Sequence, residues 1–182
     1  MEIWSLRGKK ILIVDDLSDM RTMMRSLAAS LGAEDIKTAK DGDQAMLMME
    51  TNKFDIVLCD YNLGDGKDGQ QVLEEVRHRG LLPYTTIFMM VTAETTTPMV
   101  MGAVEYSPDD YITKPVTKVT LQTRLRKLLD KKEKLRPVLQ AMQQRSYAVA
   151  LALCDTLMGL DPSSRFDLLR LRSSTSSASS RQ

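Results

Sequence analysis

The chain of 182 residues has little histidine and cysteine, and this shortage excludes two kinds of site. A single histidine, His78, argues against a zinc site, and its position fits an exposed helix surface. The two cysteines, Cys59 and Cys154, lie nearly a hundred residues apart in apolar stretches of sequence. We therefore expect two core thiols rather than a disulfide or a metal centre.

Long apolar runs and glycine-rich loops are also missing. No apolar run is long enough to cross a bilayer, and the first ten residues lack the apolar stretch and small-residue cleavage site of a signal peptide. We expect a cytoplasmic protein without membrane contact. No glycine-rich phosphate loop follows any predicted strand, which argues against a nucleotide-binding fold.

Positive charge is scarce early in the chain and abundant later. Residues 1–118 carry 13 Lys+Arg and 19 Asp+Glu, whereas residues 119–182 carry 12 and 5. A basic segment can bind nucleic acid, but no helix-turn-helix, RNA-binding signature or aromatic-rich basic strand accompanies this one. We therefore expect a solvated helix surface and no nucleic-acid partner. The contrast predicts two parts of different kind.

The first part alternates short apolar runs with segments of helical spacing. The runs are KILIVDD, the weaker EDIKTAK, FDIVLCD, TTIFMMVT and DDYITKP. Between them lie four helical stripes: Met20, Met23, Met24, Leu27 and Leu31, closed by Gly32; Ala45, Met46 and Met49; Val72, Leu73 and Val76, closed by Gly80; and Val100, Met101 and Val104. Nearly continuous apolar strands alternating with amphipathic helices predict a parallel sheet covered on both faces.

Polar side chains stand where four of these strands end. Asp15 and Asp16 follow the first strand, Asp60 ends the third, Thr92 ends the fourth and Lys114 follows the fifth. The functional cleft of an open parallel sheet lies at the carboxyl ends of its strands, so we expect these groups to meet. Capping of the next helix is an equal alternative for Asp15 or Asp16 taken alone.

Three carboxylates at one edge would repel one another unless a cation joined them. Acidic oxygens with room for water are what Mg²⁺ selects. Asp16 and Asp60 are the best direct ligands, Asp15 acts through water, and the carbonyl of Asn62 supplies a further oxygen. The cation would also neutralise an incoming phosphoryl group, which leaves Asp60 as the attacking carboxylate.

Three further residues suit a phosphoryl group at the same place. Lys114 supplies a movable positive charge for the phosphoryl oxygens. The hydroxyl of Thr92 supplies a hydrogen bond, and the small side chain of Ala93 leaves room beside the phosphate.

Residues 9–130 resemble the receiver domain of two-component response regulators. The matching residues are ILIVDD, Arg21, AKDGDQA, VLCDYN, Gly69, VTAE and DDYITKP. The resemblance implies a flavodoxin-like α/β fold, with five helices around a doubly wound five-stranded parallel sheet in the order 2-1-3-4-5. It implies transfer of a phosphoryl group to Asp60 from a histidine kinase or a histidine phosphotransfer protein, and a downstream protein partner.

The resemblance also assigns roles to single residues. Thr92 and Tyr111 fall on the family's switch positions, so phosphorylation would draw Thr92 inward and let Tyr111 repack the face of the fourth helix, fifth strand and fifth helix. Asn62 and Glu94 fall on positions that tune dephosphorylation. An ordinary half-buried strand aromatic remains the alternative for Tyr111.

The loop after Asp60 departs from the family pattern. Leu63-Gly64 replaces the usual Met-Pro, and GDGKDG carries one extra residue before Gly69. We expect a more flexible loop, which bears on how tightly the site holds a cation. This chain has YSPDD in place of the family's usual Gly-Ala before the fifth strand, so we expect the preceding turn to differ as well.

Residues 117–145 read as one long helix that contains Pro137. Leu121, Leu125, Leu128, Leu135, Leu139 and Met142 keep heptad spacing, interrupted by Lys132. This predicts either a dimerising coiled coil or the fifth receiver helix running into another helical unit.

The end of the chain favours the second alternative. Tyr147, Ala150 and Pro162 have the spacing of the second helix of a tetratricopeptide repeat. We expect a receiver domain over 1–130, a helical extension resembling one such repeat over 131–172, and a flexible tail over 173–182. Because one repeat cannot bury its own apolar face, the chain is either part of a longer repeat protein or a homodimer through the fifth helix and C-terminal helices.

These patterns favour a signalling switch over an enzyme. An aspartyl-phosphate hydrolase usually carries Asp-x-Asp at its first strand, whereas this chain has Asp15-Asp16-Leu17 and no visible substrate-capping domain. A scaffold that is never phosphorylated is the third hypothesis, and the full set of chemical groups argues against it.

Overall fold

The computed structural model describes residues 4–93, 106–160 and 164–180. The chain divides into two compact units, Met1–Leu129 and Asp130–Gln182, which we call unit 1 and unit 2. Every helix among the described residues is too short or too polar to cross a bilayer.

Unit 1 contains one five-stranded sheet. Its strands are β1 Lys10–Val14, β2 Asp35–Ala39, β3 Ile56–Asp60, β4 Ile87–Thr92 and β5 Asp110–Thr113. All four neighbouring pairs are parallel, and the order is β2-β1-β3-β4-β5. The predicted doubly wound, flavodoxin-like fold is therefore confirmed. Every residue of β3 and β4 is buried, as expected for inner strands of a sheet covered on both faces.

Helices cover both faces of this sheet because successive strand residues point to opposite sides. Helices α1 Ser18–Ser30 and α4 Lys118–Gln143 enclose one core, to which β1 contributes Ile11 and Ile13. Helices α2 Gly42–Thr51 and α3 Gly69–His78 enclose the other, to which β1 contributes Leu12 and Val14.

The predicted helical stripes agree with this packing, with one exception. The stripes of α2 and α3 are buried, as are Met24 and Leu31 of the first stripe. Met23 is 36% exposed, because its position on α1 faces away from the sheet. The predicted stripe of Val100, Met101 and Val104 lies outside the described residues.

Unit 2 consists of helices around a separate core. The C-terminal part of α4 is followed by α5 Tyr147–Leu160 and α6 Arg165–Ser179. Their buried apolar residues are Leu135, Val138, Leu139, Ala141, Met142, Ala150, Cys154 and Leu168. Cys59 and Cys154 are both free and buried, as the sequence predicts.

The heptad leucines of α4 do not form an exposed seam. Leu121, Leu125 and Leu128 are buried in unit 1, and Leu135, Leu139 and Met142 are buried in unit 2. To form a dimerising coiled coil, these side chains would have to be exposed on the single chain, so the coiled-coil alternative is wrong for this helix. The resemblance of unit 2 to a tetratricopeptide repeat stays a prediction.

The segment predicted to be a flexible tail, 173–182, is helical as far as Ser179. The sequence suggested disorder because it is rich in serine. Thr175 is nevertheless fully buried, and its hydroxyl donates to the carbonyl of Leu171 at 2.7 Å. Hydroxyl groups of Ser174 and Ser180 bond to carbonyls four residues earlier in the same way. These bonds satisfy the hydroxyls within the helix, and the burial of Leu168 fixes the helix to its unit.

Candidate functional site

The strand register brings the predicted site residues to one edge of the sheet. Val14 pairs with Cys59, so Asp15 and Asp60, one residue further along each strand, stand side by side. Thr92 pairs with Thr113, and the amide of Lys114 donates to the carbonyl of Thr92 at 2.7 Å. The carboxyl ends of β1, β3, β4 and β5 therefore surround a single pocket.

Lys114 joins two of the acids in this pocket. Its Nζ lies 2.6 Å from Oδ2 of Asp60 and 3.1 Å from Oδ2 of Asp15. Asp15 is 3% exposed and Asp60 is 5% exposed. One ammonium group therefore balances two nearly buried carboxylates, which leaves negative charge in excess.

Burial sets the electrostatics of this pair. It raises the pKa of the Asp60 carboxyl, and the hydrogen bond and charge of Lys114 offset only part of that rise. Burial also lowers the pKa of Lys114, but its hydrogen bonds with Asp60 and Asp15 outweigh this, so the net shift is upward. Lys114 thus stays charged, whereas ionised Asp60 is held at a cost in free energy that a cation would reduce.

Asp15 and Asp16, the other two acids of the cluster, differ in their surroundings. Oδ1 of Asp15 accepts a hydrogen bond from the amide of Leu17 at 2.9 Å, so both of its oxygens have protein donors. Asp16 is exposed. One carboxylate oxygen from each of Asp15, Asp16 and Asp60 lies within 4.8 Å of the others. This spacing is compatible with a shared divalent cation.

The loop after β3 folds back over the pocket. The amide of Asn62 donates to Oδ1 of Asp60 at 3.3 Å, and Oδ1 of Asn62 accepts from the amide of Gly64 at 3.2 Å. Gly64 has a φ of +72°, and a Cβ at that position would lie 3.2 Å from Oδ2 of Asp16. The loop backbone therefore passes directly beside the exposed acid.

The remaining predicted residues lie around this centre. Thr92 is 8% exposed at the end of β4, and Ala93 follows it at the surface. Tyr111 lies on β5 and packs half-buried against the core under α2 and α3. Burial and the nearby Tyr61 raise the pKa of the Tyr111 hydroxyl. Glu94 lies outside the described residues.

The donor set fits a hard divalent cation. All three acidic side chains offer oxygen, the ligand type that Mg²⁺ prefers. Asp16 is exposed, which leaves room for the water ligands that Mg²⁺ usually keeps.

Two contacts at this site were missed by sequence reasoning. The sequence identifies Arg21 only as a residue that matches the family, whereas in the structure its guanidinium donates to the carbonyls of both Asp15 and Asp16. The sequence shows Gly64 as a departure from the family pattern, and its close approach to Asp16 is evident only in the structure. The only signal in the sequence for the Arg21 contact is the position of an arginine on the first helical turn after an acid pair.

Comparison with known proteins assigns the family. The family model of the response regulator receiver domain matches residues 11–126. The chain is 34% identical over 131 residues to the chemotaxis protein CheY-3 of Vibrio cholerae, which covers 72% of this chain and 99% of that protein. It is 33% identical over 122 residues to the chemotaxis protein CheY of Pseudomonas aeruginosa, covering 67% and 97%. The chain therefore belongs to the response regulator receiver domain family.

Solved structures agree with this assignment. The chemotaxis protein CheY4 of Vibrio cholerae superimposes with a TM-score of 0.60 at 25% identity, covering 66% of this chain and 98% of that one. A CheY-like receiver domain protein of Methanospirillum hungatei gives a TM-score of 0.60 at 26% identity, covering 69% and 97%. The likeness covers about as much of the chain as unit 1 does.

Proposed function

We propose that the chain is a signalling switch of a two-component system, in which Asp60 accepts a phosphoryl group from a histidine kinase or a histidine phosphotransfer protein. The observation that carries the proposal is the position of the Asp60 carboxylate. It ends the central strand β3, is held by Lys114 at 2.6 Å and shares its pocket with Asp15 and Asp16. Membership of the receiver family supports the same role.

In the transfer step, one carboxylate oxygen of Asp60 forms a bond to phosphorus. The bond from phosphorus to the donor's imidazole nitrogen breaks, and its electron pair stays on that nitrogen. Lys114 moves toward the phosphoryl oxygens, the Thr92 hydroxyl donates to one of them, and Ala93 leaves space beside them. Electrostatic stabilisation and positioning account for most of the catalysis of such transfers.

The acid cluster would hold Mg²⁺ for this step. Asp16 and Asp60 would be the direct ligands, Asp15 would act through water, and the carbonyl of Asn62 would add an oxygen. The bound cation supplies positive charge that offsets the repulsion between the acids and the phosphoryl group.

Intact mass after incubation with Mg²⁺ and acetyl phosphate tests the proposal. The wild-type chain should gain one phosphoryl group, and Asp60→Asn should gain none. Asp65→Asn is the matched control, because Asp65 is an exposed aspartate of the same loop and should leave phosphorylation intact. A wild-type chain that stays unmodified, or an equal gain by Asp60→Asn, would contradict the proposal.

The switch would act through Thr92 and Tyr111. The burial of Thr92 beside the pocket and the half-buried position of Tyr111 on the edge strand β5 support this. Acetyl phosphate should therefore change hydrogen exchange along β5 in the wild type and not in Thr92→Ala. Identical exchange with and without the phosphoryl group would rule the switch out. Asn62 and Glu94 are proposed to set the lifetime of the phosphorylated form.

We propose that the chain acts as a switch and not as a multiple-turnover enzyme. Asp15-Asp16-Leu17 in place of Asp-x-Asp supports this over an aspartyl-phosphate hydrolase. Turnover of a small phosphate ester beyond one equivalent would favour the hydrolase. The switch is proposed to work in the cytoplasm with a downstream protein partner.

Self-association through the C-terminal helices is a further proposal. Val149, Leu160, Phe166 and Leu169 are large apolar residues exposed on α5 and α6, which supports it. Light scattering should show dimers that Phe166→Ser weakens. A strictly monomeric wild-type chain at high concentration would contradict the proposal.

A further inference from the structure

Asp16 differs from the other two acids of the cluster in what fixes its side chain. The carboxylates of Asp15 and Asp60 each bond to Lys114 and to a backbone amide. Among residues 4–93, 106–160 and 164–180, none forms a hydrogen bond or an ion pair with the Asp16 carboxylate. Its direction is therefore set by its backbone, since no side-chain partner holds it.

Arg21 holds that backbone. One guanidinium nitrogen, Nη1, donates to the carbonyl of Asp15 at 2.7 Å and to the carbonyl of Asp16 at 3.0 Å. Arg21 is itself fixed on the first turn of α1, where its amide donates to the carbonyl of Leu17 at 3.0 Å. Helical side chains lean toward the N-terminus of their helix, so the guanidinium reaches back to the two carbonyls before α1.

The contact with Arg21 does not neutralise the carboxylates of Asp15 and Asp16. Arg21 bonds to carbonyl oxygens and forms no ion pair with Asp15 or Asp16, whereas Lys114 occupies Oδ2 of both Asp15 and Asp60. A cation approaching Asp16 therefore displaces no protein donor from that carboxylate. The affinity of such a site depends on how well the backbone already holds the ligand in place.

We propose that Arg21 is a positioning residue for the cation site. It fixes the two peptide groups from which Asp16 projects, so that the carboxylate is held in place before the cation binds. The inference rests on the proposed function in so far as that function requires Mg²⁺.

Mg²⁺ binding to the full-length chain, measured by isothermal titration calorimetry, tests the inference. Arg21→Met should raise the dissociation constant about tenfold, the usual effect of losing a group that orients a metal ligand. Arg21→Lys keeps a donor that can reach a carbonyl and should restore part of the affinity. The matched control is Arg25→Met, one turn later on the exposed side of α1, which should bind as the wild type does.

Urea unfolding of the same variants in EDTA separates positioning from a merely structural role. A fall in the unfolding free energy of Arg21→Met with an unchanged dissociation constant would overturn the inference. Equal weakening by Arg25→Met would also overturn it. A wild-type chain that binds no Mg²⁺ would overturn the proposed function as well, whereas wild-type binding with an unaffected Arg21→Met would overturn the inference alone.

Discussion

At the scale of single residues, the pocket is defined by an imbalance of charge. Lys114 is shared by two buried carboxylates, and Asp16 adds a third negative charge at the mouth. The sequence predicts which groups meet here, because each one ends a strand of the same sheet. It does not reveal which carboxylate oxygens are already bonded, since that depends on the geometry of the loops.

The first prediction concerns the cost of the Asp60 charge. Burial raises the pKa of Asp60 in the folded state, so folding favours the protonated form and stability falls as the pH rises through the folded-state pKa. At neutral pH without Mg²⁺, Asp60→Asn should therefore raise the free energy of unfolding. Lys114 keeps Asp15 as a partner at 3.1 Å, so it is not left alone in the variant.

Urea unfolding in EDTA measures this change, with Asp65→Asn as the exposed control. Mg²⁺ should stabilise the wild type much more than Asp60→Asn. A variant less stable than the wild type would show that the ion pair outweighs the cost of burial.

The second prediction concerns Gly64. Alanine at its φ of +72° should cost about 1–2 kcal/mol, and its Cβ would crowd Oδ2 of Asp16. Gly64→Ala should therefore weaken Mg²⁺ binding several-fold in calorimetry. Gly66→Ala is the control, because Gly66 also has a positive φ but nothing lies within 4 Å of an added Cβ. Equal weakening by both variants would assign the effect to backbone strain.

At the scale of secondary-structure elements, the N-terminal cap of a helix holds the loop that lines the pocket. Asp68 caps the N-terminus of α3: its Oδ1 accepts from the amide of Gln71 at 2.8 Å, and the Gln71 side chain accepts from the amide of Asp68 at 2.9 Å. This reciprocal cap closes the loop that begins at Asp60. Lys67 adds ion pairs to Asp43 of α2 and Glu75 of α3. The longer loop, expected from sequence to be more flexible, thus has fixed contacts at its far end.

The third prediction tests this cap. Asp68→Ala should lower the free energy of unfolding by about 1 kcal/mol, since the amide of Gln71 loses its partner. Asp65→Ala, which changes an exposed aspartate of the same loop, should stay within about 0.5 kcal/mol of the wild type. Chemical unfolding of the two variants measures the difference. Equal stabilities would mean that water replaces the cap without loss.

At the scale of the whole molecule, the chain has two units with separate cores. Unit 1 contains the sheet and the pocket, whereas unit 2 buries its own apolar residues among helices. The charge contrast along the sequence changes sign close to the boundary between them. Because the pocket lies wholly within unit 1, changes in the core of unit 2 should affect stability and spare the site.

The fourth prediction uses neighbouring leucines of α6. Leu168→Ala removes a fully buried side chain and should lower the stability of unit 2 by about 2–5 kcal/mol. Leu169→Ala changes a leucine that is 47% exposed and should have a small effect. Thermal unfolding measures stability, and calorimetry should give the wild-type Mg²⁺ affinity for both. A loss of Mg²⁺ affinity in Leu168→Ala would contradict the independence of the pocket.

The sequence by itself determined the order of strands and helices and the set of acids, hydroxyl and lysine at the strand ends. It could do so because strand and helix periods are local, and because a parallel sheet brings its carboxyl ends together. Tertiary structure alone decided that α6 continues through the serine-rich segment and that the α4 leucines are buried. It also decided that Arg21 and Gly64 flank Asp16. These features depend on contacts between residues whose meeting no local pattern encodes.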